Sequence, residues 1–277
     1  MRRALAVLAL LGGCSSAPKT APQDATLARL DHAGSIAFDL EQPAQATAQY
    51  RDALTRARTR DDATAIADAG FNLATAQLRA NQLNEAMQTV RELQAELARR
   101  GVVDPGFDLI SATALYRLND LPAADQTAAR LIDGQNIQLS DAAWFLRGLI
   151  ADQRQDRPAL QRAAAAMTST ANAADTEELQ ARLSHDPKQA LHAADLRRQQ
   201  LDYRGMARAL ALAAQWSPDP AAAADLYLRA GRSAAAQGDM WDARLWLSAA
   251  QQQSPDTALR SIADQALRDL PAAGSHQ

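Results

Sequence analysis

Residues 231–255 read GRSAAAQGDMWDARLWLSAAQQQSP, and the places that decide how the chain folds are Gly231, Gly238, Asp239, Ala243, Leu247, Ala250 and Pro255. Gly231 and Ala243 are small enough to let two helix backbones approach where they cross, and Pro255 stops the second helix before the next segment begins. The same offsets recur one block earlier as Ala194, Leu201, Asp202, Met206, Leu210, Ala213 and Pro218. A pattern that returns at a steady distance marks a stacked array rather than a single closed core.

Looser copies run back toward the N-terminus: Gly148, Asp156, Leu160, Ala164 and Met167; then Ala112, Tyr116, Asn119, Leu121, Ala124, Ala128 and Leu131; then Ala74, Leu78, Asn81, Leu83, Ala86, Val90 and Leu93; and first Gly34, Ala46, Tyr50 and Ala53. The anchors of the second helices are Ala46, Ala86, Ala124, Leu160, Met206 and Ala243, spaced by 40, 38, 36, 46 and 37 residues. Pro43, Pro122, Pro158 and Pro220 fall where helices begin. Asp61 or Asp62 can cap a helix running to Ala80, and Gly101 ends one over residues 83–100. The excess in the longest interval, MTSTANAADTEELQARLSHDP (167–187), predicts a short additional helix, with Asp175 and Glu178 as a capping box before Leu179 and Leu183. Leu259, Ile262, Ala263, Ala266, Leu267 and Leu270 predict a closing helix with one apolar face.

These offsets resemble the tetratricopeptide repeat, a helix-turn-helix unit of about 34 residues; every unit here carries inserted residues. The resemblance covers about residues 26–255. It implies an all-α fold: an α-α superhelical solenoid of about six tetratricopeptide-like helix pairs with a C-terminal capping helix. Units would fill 26–170, and the extra helix, two further units and the cap would fill 171–277. In the family the first helices line the inner, concave wall. Carried over, that wall includes Phe38, Leu78, Leu109, Phe145, Leu191 and Leu228, and it offers Phe71, Arg79, Tyr116, Arg117, Arg198 and Arg232 as partner-binding residues. Aromatic rings supply contact area at low entropy cost, and guanidinium forks grip carboxylates or backbone carbonyls. Arg79, Tyr116 and Arg117 are expected exposed on one stretch of the wall. Phe71 and Phe145 can instead pack between neighbouring units.

Composition agrees with helices. Hydrophobic residues make up 47% of the 277 but aromatics only 4%, so alanine and leucine carry the apolar count, which favours close-packed helices over sheets. The formal charge of −3 lacks the clustered basic face that nucleic acid demands. The histidines are His32, His185, His192 and His276, and Pro187 breaks any helix joining the middle two. There is no His-Glu-x-x-His, no cysteine pair, no glycine-rich phosphate loop and no Gly-x-Ser-x-Gly elbow. Glu92, Glu96, Glu177 and Glu178 read as solvated helix faces beside arginines such as Arg91, Arg99 and Arg100. The reading is a binding protein, not an enzyme, with no metal and no cofactor.

The N-terminus speaks of location. Met1-Arg2-Arg3 is followed by an apolar run over residues 4–11, then Gly12-Gly13-Cys14, with the chain's only cysteine. This resembles a bacterial lipoprotein signal. The resemblance implies a signal peptide over 1–13, cleavage after Gly13, a diacylglycerol on Cys14 with a third acyl chain on its amine, and a flexible tether over 14–25. Three chains exceed what stable anchoring needs. Ser15, where aspartate would favour inner-membrane retention, implies the outer membrane with the folded part in the periplasm. The implied partner is a periplasmic or outer-membrane protein or peptide. Similar lipoproteins are subunits of outer-membrane assembly or secretion machines, or non-catalytic regulators related to peptidoglycan-processing enzymes.

Overall fold

A computed structural model describes residues 24–167 and 172–271. The expectations for the signal peptide, Cys14 and Ser15 lie outside the described residues. Within them the chain forms fourteen α-helices and no strand. Six antiparallel pairs follow the chain: α1 (Ala25–Asp39) with α2 (Pro43–Thr59), α3 (Ala63–Arg79) with α4 (Leu83–Ala98), α5 (Gly106–Arg117) with α6 (Leu121–Ala129), α7 (Ile137–Gln153) with α8 (Arg157–Ala166), α10 (Pro187–Gln199) with α11 (Tyr203–Trp216), and α12 (Pro220–Ala236) with α13 (Met240–Gln253). α9 (Ala173–Ser184) stands between the fourth and fifth pairs, and α14 (Thr257–Asp269) closes the array. The first helix starts at Ala25 because Asp24 caps it, accepting from the amides of Thr26 and Leu27 at 2.9 and 3.0 Å.

One turn, repeated six times, sets the register. Each first helix ends on a left-handed residue: Glu41, Asn81, Asn119, Gln155, Leu201 and Gly238. Each lies five positions before its anchor, so the spacing read from the sequence holds in all six units. The amide after the left-handed residue reaches back to close the helix in every unit: Gln42 to Ala37, Gln82 to Gln77, Asp120 to Leu115, Asp156 to Ala151, Asp202 to Arg197 and Asp239 to Ala234, all at 2.8–2.9 Å. Asp120, Asp156 and Asp202 then cap the following helix with their side chains, whereas Asp239 makes no cap hydrogen bond.

The core is a string of clusters passed from pair to pair, as expected when each unit touches its neighbours. Glycines mark the tightest crossings. A Cβ on Gly231 would stand 2.6 Å from Leu247, one on Gly70 2.4 Å from Leu93, and one on Gly34 2.6 Å from Tyr50. In the fourth unit the partner of Gly148 is Leu179, on α9 rather than on the short α8. The extra helix therefore completes a crossing that α8 leaves open, and it packs on both α7 and α10.

The capping-box reading of α9 is corrected. Asn172 holds the N-cap position without a side-chain bond, and Asp175 and Glu178 lie inside the helix, turned toward arginines of other elements. Local spacing cannot reveal partners that lie 19 and 30 residues away.

Candidate interaction surface

Charged side chains of several helices meet one another in two places. Glu178, read from sequence as solvated, is fully buried and meets Arg182 at 3.0 Å, Arg197 at 2.8 Å and Arg208 at 2.6 Å. Burial alone would raise its carboxyl pKa; the guanidiniums of Arg208, Arg197 and Arg182 outweigh burial and hold it well below the carboxylate range. Arg197 also binds Asp175 at 2.6 Å and Asp202 at 2.7 Å, and Arg182 pairs with Asp152. The Phe145 ring lies 5.1 Å from the Arg197 guanidinium and 5.5 Å from that of Arg208. This hub joins α7, α9, α10 and α11.

A second set of contacts brings the early and late units together. Arg117 donates to the carbonyl of Leu78 at 2.6 Å, to Asn81 at 3.0 Å, and pairs with Asp239 at 3.3 Å. Arg204 lies 2.5 Å from the other oxygen of Asp239 and donates to the carbonyls of Arg79 at 3.2 Å and Gln237 at 3.1 Å. Asp239 gives up capping α13 in order to hold two arginines from distant units. Arg79 pairs with Glu41 and stacks on Phe38 at 5.1 Å.

The six predicted partner-binding residues therefore part company. Arg79 and Arg117 come together, as the repeat implies, but at this seam and with their guanidiniums engaged. Tyr116 is turned inward; burial pushes its phenol pKa up, opposed by Arg182 and Arg208. Phe71 packs edge-to-face on Phe107 at 6.1 Å. Arg198 stands exposed on α10, 3.5 Å from Asp195. Arg232 is exposed and has no ion pair, hydrogen bond or ring contact among the described residues.

Arg232 sits at the edge of a groove of about 460 Å³ formed by α12, α13 and α14. Its floor is Ala235, Met240, Leu247, Ile262, Ala266 and Leu270, with Gln265 and Asp269 on the opposite rim. Ile262 is 43% exposed. On the neighbouring outer face of α13, Trp241 and Leu245 are 81% and 54% exposed, one helical turn apart. Exposed apolar residues grouped in this way mark interaction sites. The sequence shows the apolar stripe of α14 but not that part of it stays uncovered, because nothing in a periodic pattern tells which helix packs on it.

No family model matches the chain, and no curated protein matches it. Among solved structures the chain is similar to a tetratricopeptide repeat protein from Parabacteroides merdae ATCC 43184, with 16% identity, 88% of this chain and 98% of that one covered, and a TM-score of 0.44. It is also similar to the TPR2AB domain of yeast Sti1 in its complex with pHSP90, with 16% identity, 87% and 97% covered, and a TM-score of 0.34.

Proposed function

We propose that this protein is a protein-interaction scaffold, lipid-anchored through Cys14 to the periplasmic face of the outer membrane, and that it engages its partner at the groove of α12, α13 and α14 rather than on its inner wall. The observation that carries the reading is the contrast among the predicted arginines: Arg79 and Arg117 are spent within the chain, while Arg232 has no partner among the described residues and stands beside an open apolar groove. The buried acid of the hub, held ionised by three guanidiniums, suits cohesion and not proton transfer. Anchoring is supported by the resemblance of residues 1–14 to a lipoprotein signal.

Two measurements test it. Cys14→Ala should abolish labelling by radioactive palmitate and shift the protein from the membrane to the soluble fraction; wild-type protein free of membranes would sink the localisation. A photo-crosslinking residue at Ile262 should trap a discrete partner in the native host, while one at the exposed Arg91 on α4 should not. Adducts at Arg91 alone would move the working surface elsewhere.

A further inference from the structure

We propose that the seam between the early and late units is a clasp that opens and closes, so that the array exchanges between a closed and an open form and ionic strength sets the balance. Two polar links cross the seam. Arg117 of the third unit pairs with Asp239 of the sixth at 3.3 Å, and Arg204 of the fifth donates to the Arg79 carbonyl of the second at 3.2 Å. Every step along the chain from α1 to α14 is joined by helix packing. Across the seam, among the described residues, no helix of the first three units packs along a helix of the last two, and no apolar cluster holds residues from both sides. A cavity of about 260 Å³ separates Glu41, Pro43 and Arg79 from Ala235, Ala236 and Gly238. An interface within a chain that is neither large nor apolar leaves its two sides free to move.

The charges make the clasp sensitive to salt. Arg117 on the early side and Arg204 on the late side carry like charge, and each meets one oxygen of Asp239. Without that carboxylate the seam would set two guanidiniums against each other. Burial and Arg204 press the Arg117 pKa down, while Asp239 and Asp242 act to raise it. Opening strands neither arginine. Arg117 keeps the Leu78 carbonyl and Asn81, and Arg204 keeps the Gln237 carbonyl and Asp239. The open form therefore gives up two links and gains hydration of partly buried charges. Dissolved ions lower the free energy of the separated charges, and the population moves toward the open form. Opening bares Arg117 and Asp239 and widens the cavity between α3 and α12.

The test is a distance measured across the seam in the full chain, held in mild detergent. Nitroxide labels on ketone-bearing unnatural residues at Asn84 on α4 and Trp241 on α13, both exposed, report it by pulsed electron resonance. At low salt one short distance should dominate, with a longer population below about a tenth. Raising sodium chloride to about 1 M, where the screening length falls to about 3 Å, should increase the longer population several-fold. Asp239→Asn should make the longer distance the majority at low salt, and Asp239→Glu should keep the short one. Labels at Asn84 and Ala95, both on α4, should hold their separation throughout. A distribution unmoved by salt and by Asp239→Asn would overturn the clasp as a moving part. A long distance dominating the parent protein at low salt would overturn the closed form itself. Should Asp239→Asn fail to fold, the salt series on the parent decides between these outcomes alone.

Discussion

Around Glu178 three guanidiniums converge on one carboxylate, and Asp175 and Asp202 also pair with Arg197 while Asp152 pairs with Arg182. At the edge of the groove of α12, α13 and α14 the Arg232 guanidinium looks onto aliphatic side chains and forms no ion pair among the described residues. Both regions grow from the same repeat, built by the same turn at the same register. The difference lies in what comes next along the array. The hub sits where α9 adds a helix and so has neighbours on every side; the groove sits at the last described unit, where no following pair covers it. Ion pairing in one place and its absence among the described residues in the other teach that an arginine on the wall of a solenoid is cohesive or receptive according to its neighbours, not its residue type.

The largest expected effect strikes the saturated side. Glu178→Ala leaves Arg182, Arg197 and Arg208 without their shared anion, and removing one partner of a buried charge group costs about 3–5 kcal/mol. Urea unfolding should show this loss; a change within about 0.5 kcal/mol, the range of ordinary surface substitutions, would mean that the hub is dispensable. The pH dependence has a definite sign. The folded carboxyl stays ionised well below the ordinary glutamate value of about 4.3, so the unfolded state takes up its proton first. The hub's stabilisation is full above that value and drains as pH falls beneath it, and Glu178→Gln should flatten that part of the profile.

Next in size is the crossing of α12 and α13, which asks whether the groove's floor is as rigid as the hub. Gly231→Leu drives a side chain into Leu247 and should cost about 1–3 kcal/mol by thermal melting. An unchanged melting temperature would show that the floor yields, and a pliable floor would weaken the case for a shaped groove.

A smaller effect has the opposite sign. Leu201 holds the left-handed turn position at φ 59° with its side chain 64% exposed. Glycine adopts that backbone without a Cβ clash, so Leu201→Gly should stabilise the protein by roughly 0.5–1 kcal/mol, less than the full strain because the unfolded chain gains freedom. Destabilisation would instead reveal a packing role for the leucine. Smallest of all, Arg232→Glu should leave stability within about 0.5 kcal/mol of the parent, since no described residue pairs with that side chain. A large loss there would erase the distinction between the two regions.

Much of this fold can be read in the sequence because it is local. Asn81, Asn119 and Gly238 suit the left-handed turn, Pro43, Pro158 and Pro220 suit helix starts, and the irregular interval before Pro187 announces α9. The sites are less legible because they depend on how far each pair rotates against the last. Arg117 meets Asp239 across 122 positions and Arg204 meets the Arg79 carbonyl across 125. No periodicity along the chain encodes those meetings. Glu178 carries no mark that separates it from its neighbour Glu177 until the fold brings Arg197 and Arg208 over it.

The seam at Asp239 has a consequence for repeat number. An open solenoid can gain or lose a unit and stay intact, because each pair answers only to its neighbours. Here Asp239 in the turn of the sixth unit must return to Arg117 of the third, and Arg204 of the fifth to the Arg79 carbonyl of the second, at hydrogen-bonding distance. Deleting an internal pair, or duplicating one, would carry Asp239 away from Arg117 by the rise and rotation of a whole unit. The array is thereby modular in construction yet fixed in length, its unit count set by the geometry of closure.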